Sequence, residues 1–354
     1  MVKNTYRSPE GEAMSGSVVP CAEAILLLCR RGDRTSTHGH GACVSQTIVE
    51  EIADLDLSDI GPAQDVAGDY DGVKAWEHGE LTSWDGTKLY WQRWSGEGDR
   101  RGRVILMHGY GEHSSRYSHV AVALVRAGYD VAAIDARGHG KSGGKEAHVA
   151  MYDEYVLDLE RFIDDVEEQW GEEHGPIHVV GHSNGGLIAL RYALRNPERV
   201  RSFAVTSPFC GFKVHVPGWK ATAGRFLSKV VPAFGLPSEI PATALTHRPE
   251  VVSLYDRDPL NRKIATARWF TEVKAAQADL LERAGRITHP LLMLVGGSDQ
   301  IADPEAAKRV YEKSGSKDRR IEVYDTLYHE ILNEVEWEDV MRELLVWLRE
   351  HGEA

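Results

Sequence analysis

The chain has 354 residues, 42% hydrophobic and 27% charged, with a formal net charge of −13 at neutral pH. That length supports one large domain or two small ones, with a core that needs neither disulfides nor metals. The acidic balance repels phosphate backbones and argues against a nucleic-acid partner. The longest apolar run near the N-terminus, Ala24 to Cys29, falls far short of the ~20 residues of a spanning helix.

The four cysteines are Cys21, Cys29, Cys43 and Cys210. Three in the first 43 residues and one in the body do not make a disulfide framework, so a reducing cytoplasm is expected. The apolar stretch is interrupted by Glu23 and followed by Arg30 and Arg31, a poor secretion signal. Cys21, Cys29, His38, His40 and Cys43 follow no metal-ligand spacing, so neither metal nor cofactor is expected. Residues 50–72 hold Glu50, Glu51, Asp54, Asp56, Asp59, Asp65, Asp69 and Asp71 with no Lys or Arg, and such a stretch reads as solvated. Residues 1–72 are therefore expected to be a poorly ordered N-terminal extension, and 73–354 the folded domain.

From residue 73 the pattern is α/β. Two strands at 78–83 and 88–94 turn through Asp85-Gly86. Strands at 103–107, 130–134, 177–180, 200–206, 291–295 and 321–324 then alternate with helices at 117–127, 151–170, 185–194, 304–314 and 336–350. Short apolar strands alternating with amphipathic helices predict crossover units and a mostly parallel sheet. The rhythm breaks over about 208–288, which opens with Phe209, Phe212, Pro217, Trp219, Phe226, Phe234 and Pro237 and turns helical. An insertion between two core strands is expected over the carboxyl edge of the sheet, where open α/β sheets bind ligands, and reads as a cap.

Gly181-His-Ser183-Asn-Gly185 matches G-x-S-x-G, which sets a serine on a sharp strand-to-helix turn. A second match surrounds Ser142, but only Ser183 follows an apolar strand and opens an apolar helical run. The loop Gly138-His-Gly140-Lys141-Ser142 is no phosphate loop, because Asp135 stands where that motif needs its first glycine. A serine hydroxyl needs a base, and the base needs an orienting group. In this arrangement the acid and then the histidine follow the serine, each after a late strand. His329 fits as base, since His289 precedes a strand and His351 ends the chain. Of Asp299 and Asp303, the latter precedes Pro304 and Glu305 and reads as a helix N-cap, leaving Asp299 as the acid. Developing negative charge needs backbone donors: the amide of Asn184 and one from His108-Gly-Tyr-Gly-Glu-His113, assigned to Tyr110.

The blocks His108 to Tyr117, Asp135-Ala-Arg-Gly-His-Gly140 with Ser142-Gly143, Gly181 to Gly186, Gly297-Ser-Asp299 and His329-Glu330 resemble monoacylglycerol lipases and related lysophospholipases over about 76–350. The resemblance implies an α/β-hydrolase fold with a mostly parallel eight-stranded sheet, helices on both faces and an inserted helical cap. It implies the Ser183, Asp299 and His329 triad with Tyr110 and Asn184 at the oxyanion hole. It also implies that Glu112 and Arg116 sit where such lipases hold the polar glycerol end; read locally, the two are an ion pair that shapes the loop. The cap is then an amphipathic element that lines an acyl channel and meets a membrane surface transiently. Family elbows commonly carry Met after the serine, where this chain has Asn184. The expected reaction is hydrolysis of a single-chain lipid ester, with monoacylglycerol preferred. Lysophospholipase, carboxylesterase, thioesterase and acyltransferase activities share the triad, and a non-catalytic ligand-binding protein is the alternative of another class.

Overall fold

The computed structural model describes residues 45–62, 70–213, 218–237 and 240–352. Their centre is an eight-stranded sheet of β1 (Ala75–Thr82), β2 (Lys88–Ser95), β3 (Gly102–Met107), β4 (Tyr129–Ile134), β5 (Ile177–His182), β6 (Ser202–Thr206), β9 (Leu291–Gly296) and β10 (Arg319–Tyr324), in the order β1-β2-β4-β3-β5-β6-β9-β10. β1 and β2 form an antiparallel hairpin, β2 pairs antiparallel with β4, and every later pairing is parallel. The parallel strands β3, β4, β5, β6 and β9 are buried along their whole length. That is why they read as unbroken apolar runs: helices cover both faces of a parallel sheet.

One face is covered by α3 (Asp153–Gln169) and α4 (Asn184–Ala193), with Phe162, Val166, Leu187 and Leu190 packed against Ile105, Val179 and Phe203. The other carries α2 (Ser118–Arg126) and α9 (Trp337–Glu350), with Val120, Leu124, Leu344 and Trp347 over Val104, Val131 and Leu292. α8 (Pro304–Lys313) follows β9, and Asp303 caps it by accepting the Glu305 N–H, with Pro304 at the first helical position.

The N-terminal segment departs from expectation. Residues 45–62 contain a helix, α1 (Gln46–Ala53), and bury Val49, Ile52, Leu57 and Ile60. The last three join the core cluster around α9. The acids around them carry no buried charge: Asp59 receives both guanidinium nitrogens of Arg126, at 2.6 and 2.7 Å, and Glu51 pairs with Arg349. The acid count hid a sparse apolar stripe. Residues 1–44, including Cys21, Cys29, His38, His40 and Cys43, lie outside the described residues.

The insertion between β6 and β9 contains α5 (Gly218–Val230), a two-stranded ribbon of β7 (Gly235–Pro237) and β8 (Ile264–Thr266), α6 (Pro249–Arg257) and α7 (Ala267–Arg283). Thr266 caps α7 by accepting the Trp269 N–H at 3.2 Å. No described helix is long and apolar enough to cross a membrane.

Candidate active site

Ser183 sits at the turn between β5 and α4 with φ 51° and ψ −115°. A side-chain-bearing residue there costs of order 1–3 kcal/mol and persists only where its surroundings enforce it. The glycines two residues either side make the turn possible. A Cβ on Gly181 would lie 2.5 Å from the Gly185 carbonyl oxygen, and one on Gly185 would strike the Met107 and His108 carbonyls. The turn is fastened by backbone bonds, Ser183 N–H to Thr206 O at 2.9 Å and Leu187 N–H to Ser183 O at 3.0 Å.

Asp299 and His329 arrive from the loops after β9 and β10. His329 Nδ1 donates to Asp299 Oδ2 at 2.7 Å, and Ser183 Oγ donates to His329 Nε2 at 2.9 Å, with the ring in the tautomer the carboxylate selects. Asp299 is itself held by the N–H groups of Ile301 and Ala302, both on Oδ1, at 2.7 and 3.0 Å. All three residues are buried. Burial acts to lower the His329 pKa, but the Asp299 charge and hydrogen bond outweigh it and the net shift is upward. His182, whose ring lies 4.8 Å from that of His329, is driven to about 4 by burial and by the charge of His329. It therefore stays neutral beside His329.

The loop after β3 runs past the serine: a Cβ on Gly109 would lie 3.2 Å from Ser183 Cβ. Glu112 pins this loop, its Oε1 accepting the Gly109 N–H at 2.6 Å and the Tyr117 hydroxyl at 2.7 Å. Arg116 pairs with the other Glu112 oxygen and reaches both oxygens of Glu330 at 2.7 Å. Its guanidinium also lies 4.9 Å from the Tyr255 ring centroid. Burial raises the Glu112 pKa, yet Arg116, with help from His182 and His108, brings it down to about 2. Glu112 and Arg116 thus meet as the local ion pair, extended by Glu330.

Asn184 is buried, and its Oδ1 accepts the Tyr152 hydroxyl at 2.8 Å. Sequence reasoning missed Tyr152, which lies 32 residues away, just before α3. Glu330 stood in the His329-Glu330 block but was given no role, and the structure makes it a partner of Arg116. Ser142 is a loop residue: its hydroxyl donates to Asp135 O at 2.6 Å and accepts the Tyr90 N–H at 2.8 Å. Phe209, Phe212 and Trp269 form an aromatic wall on the cap side, with the Tyr110 ring tilted against Trp269 at a centroid distance of 3.6 Å.

A buried hydroxyl on a strained turn, hydrogen-bonded to an imidazole that a carboxylate orients, can attack a carbonyl carbon and pass its proton to the ring. Fold and site together define a serine hydrolase of the α/β-hydrolase type. The model of the family described as serine aminopeptidase, S33, matches residues 98–336. The monoacylglycerol lipase of Mycolicibacterium smegmatis is 32% identical over 274 residues, 75% of this chain and 94% of that one. The rat monoglyceride lipase is 29% identical, covering 76% and 89%. The crystal structure of the Paleococcus ferrophilus monoacylglycerol lipase superposes with a TM-score of 0.68 at 31% identity, over 74% of this chain and 99% of that one. The chain belongs to the monoacylglycerol lipase family of α/β-hydrolases.

Proposed function

We propose that this protein hydrolyses monoacylglycerol through an acyl-enzyme on Ser183. The observation that carries the reading is the continuous relay Asp299–His329–Ser183 on the strained turn beneath the cap. Ser183 Oγ attacks the ester carbonyl carbon while His329 Nε2 takes its proton. Asp299 holds the ring and stabilises the imidazolium. The oxyanion forms against the amides of Tyr110 and Asn184. Collapse breaks the bond to the glycerol oxygen, which takes the proton from His329 and leaves. A water, deprotonated by His329, attacks the acyl carbon. The fatty acid departs and Ser183 regains its proton.

The substrate class follows the relatives named monoacylglycerol and monoglyceride lipases and the aromatic wall suited to an acyl chain. Glu112 and Arg116 act through the loop: the carboxylate and guanidinium are already engaged by Gly109, Tyr117 and Glu330. Exposed Phe226, Val230, Val231 and Phe234 on the cap support transient contact with a lipid surface. The test is fatty-acid release from monoacylglycerols, lysophospholipids and p-nitrophenyl esters. Monoacylglycerol turned over best supports the reading, and turnover of short esters alone would replace it with a general esterase.

A further inference from the structure

We propose that the second half of the cap, residues 262–277, is a positioning element for the oxyanion hole, a fixed template for the two amides instead of a movable lid. The inference rests on the roles just given to Tyr110 and Asn184.

Tyr110 sends its side chain into the cap. Its hydroxyl donates to the Ile264 carbonyl at 2.9 Å, and its ring lies against Trp269, tilted by 30° with the centroids 3.6 Å apart. The next residue, Gly111, accepts the Arg262 N–H at 2.8 Å. Its φ is +79°, and a Cβ there would lie 2.7 Å from the Arg262 carbonyl oxygen, so the two backbones meet with no side chain between them. The loop carrying the first amide is thus stitched to β8 and to the start of α7.

The second amide is tied to the same helix by a different route. Asn184 Oδ1 accepts the Tyr152 hydroxyl at 2.8 Å, and the Tyr152 N–H donates to Glu272 Oε2 of α7 at 3.3 Å. A third tether reaches Ser183 itself. Its carbonyl accepts the Phe209 N–H at 2.9 Å, and the Phe209 carbonyl accepts Gln277 Nε2, again on α7, at 2.8 Å. The helix that gathers these tethers is anchored in the core: Thr266, its N-cap, donates to the Ala147 carbonyl at 3.0 Å.

The first half of the cap is built differently. α5 is held through α7, by Ser228 to Thr271 at 2.8 Å and by Arg268 to the Ser228 carbonyl at 2.8 Å. It also carries the exposed Phe226 and Val230. The cap therefore has an inner piece bonded to the reacting centre and an outer piece bonded to the inner one.

A lid and a template make different kinetic predictions. A lid that only covers substrate affects the KM of long-chain substrates. A template for the oxyanion donors affects transition-state binding for every ester, including one too short to reach the cap, because misplacing a donor by about 1 Å can cost about 100-fold.

The experiment compares the full chain with Tyr110→Phe and Tyr152→Phe, each removing one hydroxyl and keeping the ring, and with Ser183→Ala as the chemical zero. Turnover of p-nitrophenyl acetate and of a monoacylglycerol is measured. So is inhibition by an alkyl trifluoromethyl ketone, whose carbonyl adds Ser183 Oγ, passes the serine proton to His329 and leaves its oxyanion in the hole. Each tyrosine variant is expected to lose about tenfold in kcat on both esters with KM nearly unchanged, and to weaken the ketone by the same factor. A variant that only loosens the fold would lower Tm and leave these ratios alone, which overturns the proposal. A rise in KM for monoacylglycerol alone also overturns it. If Tyr110→Phe does not fold, Tyr152→Phe tests the Asn184 arm by itself. Wild-type kinetics in both tyrosine variants with Ser183→Ala inactive removes the template and keeps the hydrolase. An active Ser183→Ala removes the reading beneath it.

Discussion

At the scale of single residues, a strained serine is held in place by close backbone packing. Gly185 cannot carry a Cβ without striking the Met107 and His108 carbonyls. Gly185→Ala is therefore expected to abolish esterase activity and lower Tm, checked by p-nitrophenyl ester turnover and thermal unfolding. As the proposed base, His329 has to be neutral to accept the serine proton, and the Asp299 charge and hydrogen bond outweigh burial and raise its pKa above the ordinary 6.5. The acid limb of the kcat/KM profile should accordingly have its midpoint above 6.5. Asp299→Asn removes the charge that raises it while burial remains, so the limb should move to lower pH and kcat should fall by about 10⁴-fold. A limb that stays in place would show that some other group titrates. The grouping was legible in the sequence: chain order, loop position and one competing N-cap role singled out Ser183 over Ser142 and Asp299 over Asp303, and the structure brings Ser183, Asp299 and His329 within hydrogen-bond distance. Tyr152 was not legible, since its bond to Asn184 joins the starts of two different helices, which share no periodicity.

At the scale of elements, the crossover strands announced themselves because a strand buried on both faces must be apolar throughout. α1 did not, because its buried residues Val49 and Ile52 and the following Leu57 and Ile60 are diluted by acids that meet arginines of α2 and α9. Its partner surface lies at the far end of the chain, outside any local window. The consequence is measurable. Leu57→Ala should destabilise the protein by about 2–5 kcal/mol, as for other buried leucines, and lower Tm by several degrees. Arg126→Ala removes a pair to the exposed Asp59 and should cost much less. Equal and negligible effects would return residues 45–62 to the status of a loose extension. The β7–β8 ribbon also escaped notice, as strands of three residues each leave no alternation to read.

At the scale of the whole molecule, the sheet gathers residues spread over almost 150 positions into one relay, by ending β5, β9 and β10 on the same edge. The same burial leaves a signature in stability. His119, His139 and His182 are pushed down to about 4 and His178 to about 3, in each case first by burial. The folded protein refuses protons that the unfolded chain takes up below about 6.5, so stability rises with pH across that interval and falls on acidification toward 4. His329 has a raised pKa and works in the opposite sense, stabilising below 6.5 and losing that contribution as pH rises through its folded value. His108 and His148 are lowered by burial too, so the lowered rings outnumber the raised one and predict a Tm that drops steeply between about pH 6.5 and 4. A flat Tm across that range would contradict the neutral, buried state of these rings.

The most direct test of the central claim is fatty-acid release from a monoacylglycerol by the full chain and by Ser183→Ala. The account predicts steady turnover by the wild type and a loss of roughly a million-fold in kcat in a variant that still folds. Comparable release by both proteins, or none by either on any ester, would contradict an acyl-enzyme on Ser183.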